Sequence, residues 1–210
     1  MGDEKRIRFL FDLGNVLIRC DMQWGAAQIA KQATEPAEVI RHGIIETDLI
    51  DAFDQGTFSK AEFHRELAKR FGWSGTPEEL ELIWQRMLIA EPEMLAILEE
   101  LQSLGYETYI LSNINPFHTE YVRTTYPQLQ RTTGMIFSCE CRLIKPDVAI
   151  FHHTIETLGI DAADTLFIDD RLTNIEAAKS LGFQTLHHTN KNETLEIIRA
   201  IIERSTPYSS

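Results

Sequence analysis

The strongest constraint on the fold is an alternation that begins after Glu91-Pro92. PEMLAILEELQSLG (92–105) has helical spacing and closes on Gly105, and ETYILSN (107–113) then reads as a strand. Residues 115–128 are predicted helical. GMIFSCE (134–140) reads as a strand, and FHHTIETLG (151–159) as a helix closed by Gly159. TLFIDD (165–170) is a strand, NIEAAKSLG (174–182) a helix, FQTLHH (183–188) a last strand and NETLEIIRAIIERS (192–205) a last helix. The tail TPYSS is expected to fray. Strands alternating with helices imply right-handed crossovers and a parallel sheet covered on both faces.

One strand lies apart from this run. IRFLFD (7–12) is apolar and buried in character, with Gly14 punctuating its end. Between it and residue 91 helical periods dominate, as in AEFHRELAKRF (61–71) and PEELELIWQRMLI (77–89), and no strand is expected over 21–90. Thr76-Pro77-Glu78-Glu79 has the form of a helix start, with an N-cap, Pro at the first helical position and acids near the positive helix end. The predicted fold is α/β, a three-layer Rossmann-like parallel sheet core with an inserted helical unit. Residues 1–18 plus 91–210 form the core and 19–90 the insertion.

Composition removes several function classes. Hydrophobic residues at 43% and charged residues at 25% suit a soluble globular chain, and 210 residues can bury a core without staples. The formal charge of -12 disfavours nucleic acid and anionic membrane as partners, so an anionic substrate needs local positive charge. No window reaches the ~18 apolar residues of a membrane span, and MGDEKRIRF has no signal-peptide run. A cytoplasmic monomer is the default expectation. Cys20, Cys139 and Cys141 complete no zinc pattern and read as reduced thiols. The pairs His152-His153 and His187-His188 point to different faces of their elements, which disfavours a shared metal.

In an open parallel sheet, ligands bind beyond the carboxyl ends of the strands. Four positions there carry chemistry: Asp12, Ser112-Asn113, Lys145 and Asp169-Asp170. Singly each reads as a cap, a turn or a solvated charge. Together they supply three carboxylates, a hydroxyl and an amine, the equipment for Mg²⁺ held by oxygens with phosphate contacts from Ser and Lys.

Asp12 in FDLGNVL, Ser112 in LSN, Lys145 in KPD and Asp169-Asp170 in FIDD, followed by NIEAA, resemble in order and spacing the haloacid dehalogenase-like (HAD) hydrolase superfamily over about residues 7–188. The insertion is similar to that family's small helical cap, and the nearest group resembles FDLGNV-type alpha-glucose-1-phosphatases. The resemblance implies an Mg²⁺-dependent phosphatase for a small phosphorylated metabolite, with a sugar phosphate expected. Asp12 is the implied nucleophile, forming an aspartyl-phosphate. Asp12, the Gly14 carbonyl and Asp170 are the implied metal ligands, with Asp169 binding or orienting a water on the ion. Ser112 and Asn113 are implied phosphate contacts, and Lys145 offsets the negative charge. Within the cap, Gln23, Trp24, His42, Asp54 and Trp84 are candidates for selectivity, and Phe117 and His118 could face the cleft.

One departure matters. The superfamily's phosphatases usually carry a second Asp two residues after the nucleophile, as general acid and base; here that position is Gly14. Losing such a group costs about 10²–10⁴-fold in rate. Another group could act, with Asp21, a cap residue or water as candidates, although Asp21 reads better as a helix N-cap. The leaving group could instead need little help, as an anomeric or acyl phosphate would. Otherwise the protein binds without turnover. A metal-free haloacid dehalogenase also lacks the second Asp, but has no need of the Asp169-Asp170 pair.

Overall fold

The computed structural model describes residues 6–205, and the tail TPYSS lies outside them. Five parallel strands form the sheet: β1 (Arg8–Phe11), β4 (Thr108–Ser112), β5 (Gly134–Phe137), β6 (Thr165–Asp169) and β7 (Gln184–His187), in the order β5-β4-β1-β6-β7. A second sheet pairs β2 (Ile18–Cys20) with β3 (Leu88–Ala90), antiparallel. The first strand in sequence is therefore the central one. Its register sets Phe11 opposite Ile110 and Ile168, which brings the ends of β1, β4 and β6 level.

Alternation along the strands divides the core. Phe9 and Phe11 face one side with Ile110 and Ile168, packed by α6 (Pro92–Ser103) and α12 (Lys191–Ser205). Leu10 faces the other with Leu111 and Phe167, packed by α10 (Val148–Leu158) and α11 (Leu172–Ser180). Successive strand residues point to opposite faces, so β1 is apolar throughout because both faces are covered.

Between β2 and β3 run α1 (Met22–Ile29), α2 (Ala37–Ile45), α3 (Asp48–Asp54), α4 (Lys60–Phe71) and α5 (Pro77–Arg86). They share a core of their own, in which Phe53, Phe63 and Trp84 meet Phe117 of α7 (Pro116–Thr125). Ser59 with Glu62 and Thr76 with Glu79 form reciprocal capping boxes, and Gly72 closes α4 in the left-handed conformation.

Three boundaries differ from expectation. Leu88–Ala90 is a strand inside the segment expected to lack one; its apolar residues continue the helical spacing of α5, and pairing with β2 decides their conformation. The strand expected over 134–140 stops at Phe137, because Ser138 begins the short α9 (Ser138–Cys141). The helix expected over 115–128 breaks at Tyr126, where Pro127 starts α8 (Pro127–Gln130) and disfavours helical backbone in the residue before it. Among the described residues no helix is long and apolar enough to cross a membrane.

Candidate active site

Asp12, Asp169 and Asp170 converge at the carboxyl ends of β1 and β6, with one oxygen from each within 4.8 Å of the others. Lys145 reaches them from the loop before α10. Its Nζ donates to Asp169 Oδ2 at 2.7 Å and to the Leu111 carbonyl at 2.9 Å, and stands 3.1 Å from Asp12 Oδ1. An ammonium has three donors, and here all three have acceptors. The Lys145 backbone is clamped in turn: Asn113 Nδ2 donates to its carbonyl and its N–H donates to Asn113 Oδ1, each at 2.9 Å.

The three carboxylates are not equivalent. Asp169 is fully buried and saturated. Its Oδ1 accepts from Arg171 N–H and Asn174 Nδ2, and its Oδ2 from Lys145 and Asn174 Nδ2. Asp12 Oδ1 accepts from Leu13 N–H at 2.7 Å, while Asp12 Oδ2 makes no hydrogen bond among the described residues. Half-buried Asp170 accepts from Asn15 Nδ2 at 3.0 Å. Asn15 holds φ at 55°, a left-handed conformation that Asn tolerates better than most residues. The bridge between this turn and Ile18 uses the Leu13 carbonyl and the Asn15 N–H, which leaves the Gly14 carbonyl outside it.

Burial pushes Asp12 up to about 7, with Lys145 opposing and Asp169 adding to the rise. Burial pulls Lys145 down, but Asp12 and Asp169 outweigh it, and the ammonium is held above its ordinary value. Three carboxylates thus face one ammonium, in a cluster whose donors are all oxygens. That is the chemistry a hard cation such as Mg²⁺ takes. With Asp169 saturated, Asp12 and Asp170 are the carboxylates that could hold it.

A cavity of about 260 Å³ opens beside this cluster. Gly14, Ser112 and Asn113 are part of its wall. Leu13, Ile18, Met22, Ile45, Ile50 and Leu88 make most of the rest apolar. Asp54 and Trp84 enter from the helical insertion, and Asn115 and His118 from the sheet side. Among the selectivity candidates, exposed His42 pairs with Glu38 and Glu46, half-buried Trp24 packs against the insertion's core, and exposed Gln23 is also outside the cavity lining. Phe117 is core. Asp21 caps α1, accepting from Trp24 N–H at 2.9 Å. His187 Nε2 bonds the Asp170 carbonyl and His188 Nδ1 bonds Thr194 Oγ1, so neither joins the acidic cluster. All three cysteines are free. The sequence reading missed Asn15 and Asn174 as partners of the acidic pair. The adjacent GN and NIEAA stretches were the available signal, but only the fold brings them together.

Fold and cluster define the class. A family model described as haloacid dehalogenase-like hydrolase matches residues 8–182, and the chain belongs to that family. D-ribitol-5-phosphate phosphatase of Bacteroides thetaiotaomicron is 26% identical over 189 residues, spanning 86% of this chain and 91% of that protein. The sesquiterpene phosphatase astK of Aspergillus oryzae is 25% identical over 162 residues, 76% and 82% of the two chains. A HAD family enzyme of Bacteroides thetaiotaomicron, solved with magnesium and inorganic phosphate, matches at a TM-score of 0.77 and 26% identity, covering 87% of this chain and 93% of that one. These relatives do not confirm the finer resemblance to alpha-glucose-1-phosphatases.

Proposed function

We propose that this chain is an Mg²⁺-dependent phosphatase that hydrolyses a small organic phosphate through an aspartyl-phosphate on Asp12. The observation that carries the reading is the inequality of the carboxylates: Asp169 has both oxygens engaged, whereas Asp12 keeps Oδ2 without a hydrogen bond among the described residues and lies beside Lys145. Both phosphatase relatives and the magnesium and phosphate in the solved enzyme support it.

In this reading an Asp12 oxygen attacks phosphorus, the alcohol leaves, and water later cleaves the acyl phosphate. Lys145 holds positive charge against Asp12 and the phosphoryl group. The Ser112 hydroxyl donates to a phosphate oxygen. The Asn113 side chain is occupied by Lys145, so a phosphate contact from Asn113 falls to its backbone N–H. Asp12, Gly14 and Asp170 would hold Mg²⁺, which when bound offsets the repulsion between carboxylate and phosphate. Asp169 acts through Lys145. Residues 19–90 serve as a cap over a core of 1–18 plus 91–210, and the β2–β3 pair at the two crossings supports that division.

A sugar phosphate fits the ribitol-phosphate relative. The cavity lining favours a second reading, a phosphate monoester of an apolar alcohol, which the sesquiterpene phosphatase relative also supports. The test is phosphate release from sugar phosphates and isoprenoid monophosphates, with Mg²⁺ and with EDTA, for wild type and Asp12→Asn. Release that persists in EDTA or in the variant would sink the mechanism. Halide release from 2-haloacids in EDTA would replace it with the dehalogenase reading.

A further inference from the structure

A simple alcohol leaves phosphorus poorly unless its oxygen is protonated as the bond breaks. No group in the cluster is free to supply that proton. On the phosphatase reading Asp12 is the nucleophile and Asp170 would hold the metal, while Asp169 is saturated and Lys145 is fully engaged. Among this chain's side chains, the donor then lies on the cavity wall.

We infer, resting on the phosphatase reading above, that Asp54 of the helical insertion is the general acid and base of the reaction. Among the cavity's lining residues it is the sole carboxylate, and Gly14, two residues from Asp12, lines the same cavity. The other ionisable wall groups are unfit. Burial pushes the Cys20 thiol up to about 12, and burial pulls His118 down to about 4. His118 is therefore neutral near pH 7 with both nitrogens in use. Its Nε2 faces the Trp84 carbonyl at 2.9 Å, which can only accept, so Nε2 carries the proton. Nδ1 then accepts from Asn115 Nδ2 at 3.3 Å.

The same chain of contacts aims Asp54. Having given one N–H to His118, Asn115 Nδ2 gives the other to Asp54 Oδ1 at 3.0 Å. Asn115 Oδ1 is fixed by the His118 backbone N–H, so the amide cannot turn over without losing these bonds. Ser138 Oγ donates to the Asp54 carbonyl at 2.5 Å, pinning the end of α3 to the core. Asp54 Oδ2 makes no hydrogen bond among the described residues. Burial pushes Asp54 up to about 7, Asn115 opposes this, and Asp51 and nearby Asp12 add to the rise. A carboxyl poised there can both give and take a proton at neutral pH.

The steps balance. Asp12 forms its bond to phosphorus as the bond to the alcohol oxygen breaks. That oxygen keeps the electron pair and takes the Asp54 proton, leaving Asp54 a carboxylate. A water then attacks phosphorus and gives its proton to Asp54, and the bond from phosphorus to Asp12 breaks. Free phosphate, the Asp12 carboxylate and the Asp54 acid are restored.

Wild type and Asp54→Asn are compared with Mg²⁺ present, on p-nitrophenyl phosphate and on a series of alkyl monophosphates, reading nitrophenolate, phosphate and phosphoprotein in quenched samples. Asparagine keeps an acceptor for Asn115 and the same shape. The variant is expected to lose about 10²–10⁴-fold on alkyl phosphates. Its nitrophenolate burst should survive, because that leaving group needs no proton, and phosphorylated Asp12 should then accumulate. Alkyl turnover near the wild-type rate, or equal loss of the first step on both substrates, overturns the inference. A second measurement needs no variant: wild-type rates should vary little with the alcohol's acidity, and a steep dependence overturns it too. A wild type that never becomes phosphorylated removes the phosphatase reading itself; a phosphorylated wild type with an unimpaired Asp54→Asn removes this inference alone.

Discussion

A β-carbon at Gly14 would have no heavy atom within 4 Å, and its φ lies outside the left-handed region. Glycine is thus not demanded by backbone or by space, and its absent side chain leaves room in the cavity wall. Gly14→Asp in the Asp54→Asn background should put a carboxyl back into that space and recover part of the lost alkyl-phosphate turnover, roughly tenfold out of the about 10²–10⁴ lost. Steady-state rates of the single and double variants check it. Lys145 poses the opposite case. Lys145→Met would leave Asp12 and Asp169 buried without their counter-charge. Removing one member of a buried ionic cluster costs about 3–5 kcal/mol, so the urea midpoint should fall sharply and phosphate release disappear. Midpoint and activity measured together separate this from a substitution that only slows chemistry.

At the scale of elements, the insertion is held by local signals and by one tight contact. Ser59→Ala and Thr76→Ala each remove half of a capping box. Each should cost about 1 kcal/mol and lower Tm by about 2–4 °C, with kcat unchanged; thermal melts beside turnover test this. Gly56 is held more strictly. Its φ is +70°, and a β-carbon there would lie 2.3 Å from the Cys139 carbonyl oxygen in α9. Gly56→Ala must therefore push the end of α3 off the sheet side, two residues from Asp54. We expect a loss of activity on alkyl phosphates well beyond the loss in Tm, measured on the same samples. The elements that sequence reading misjudged were short ones. Leu88–Ala90 became a strand by pairing with Ile18–Cys20, and Ser138–Cys141 became a helix where Ser138 bonds both Ile114 N–H and the Asp54 carbonyl. Neither partner lies near in sequence, so no local window carries that information.

Over the whole molecule, two buried groups make stability depend on pH in opposite senses. Asp54 stands at about 7 in the fold against an ordinary 3.8, so the folded protein keeps a proton that the unfolded chain has released. Its contribution falls as pH rises through that window. His118 stands at about 4 against 6.5 and is buried neutral, so stability falls as pH drops through that range. Where the windows overlap the slopes oppose each other. Asp54→Asn removes only the first, so its urea midpoint should gain on wild type as pH rises from about 4 to about 7. Parallel denaturation curves at fixed Mg²⁺ would show it, and a difference independent of pH would contradict the burial of Asp54.

By itself the sequence determined the parallel α/β core and the helical run that follows its first strand, and it marked Asp12, Ser112, Lys145 and the Asp169-Asp170 pair as candidates. The core is written in periodicity, and Asp12, Ser112 and the Asp169-Asp170 pair in polar residues at the ends of apolar strands, which is local information; Lys145 lies past α9, in the loop before α10. Only the tertiary structure decided which acid is saturated and which is open, that Asn113 serves Lys145, and that Asp54 lines the cavity. Those outcomes depend on distances between residues tens of positions apart, such as Asn115 to Asp54 and Lys145 to Asp169. A side chain's burial and partners are set when the helices between β2 and β3 pack against α7 and α9, and no stretch of sequence contains that packing.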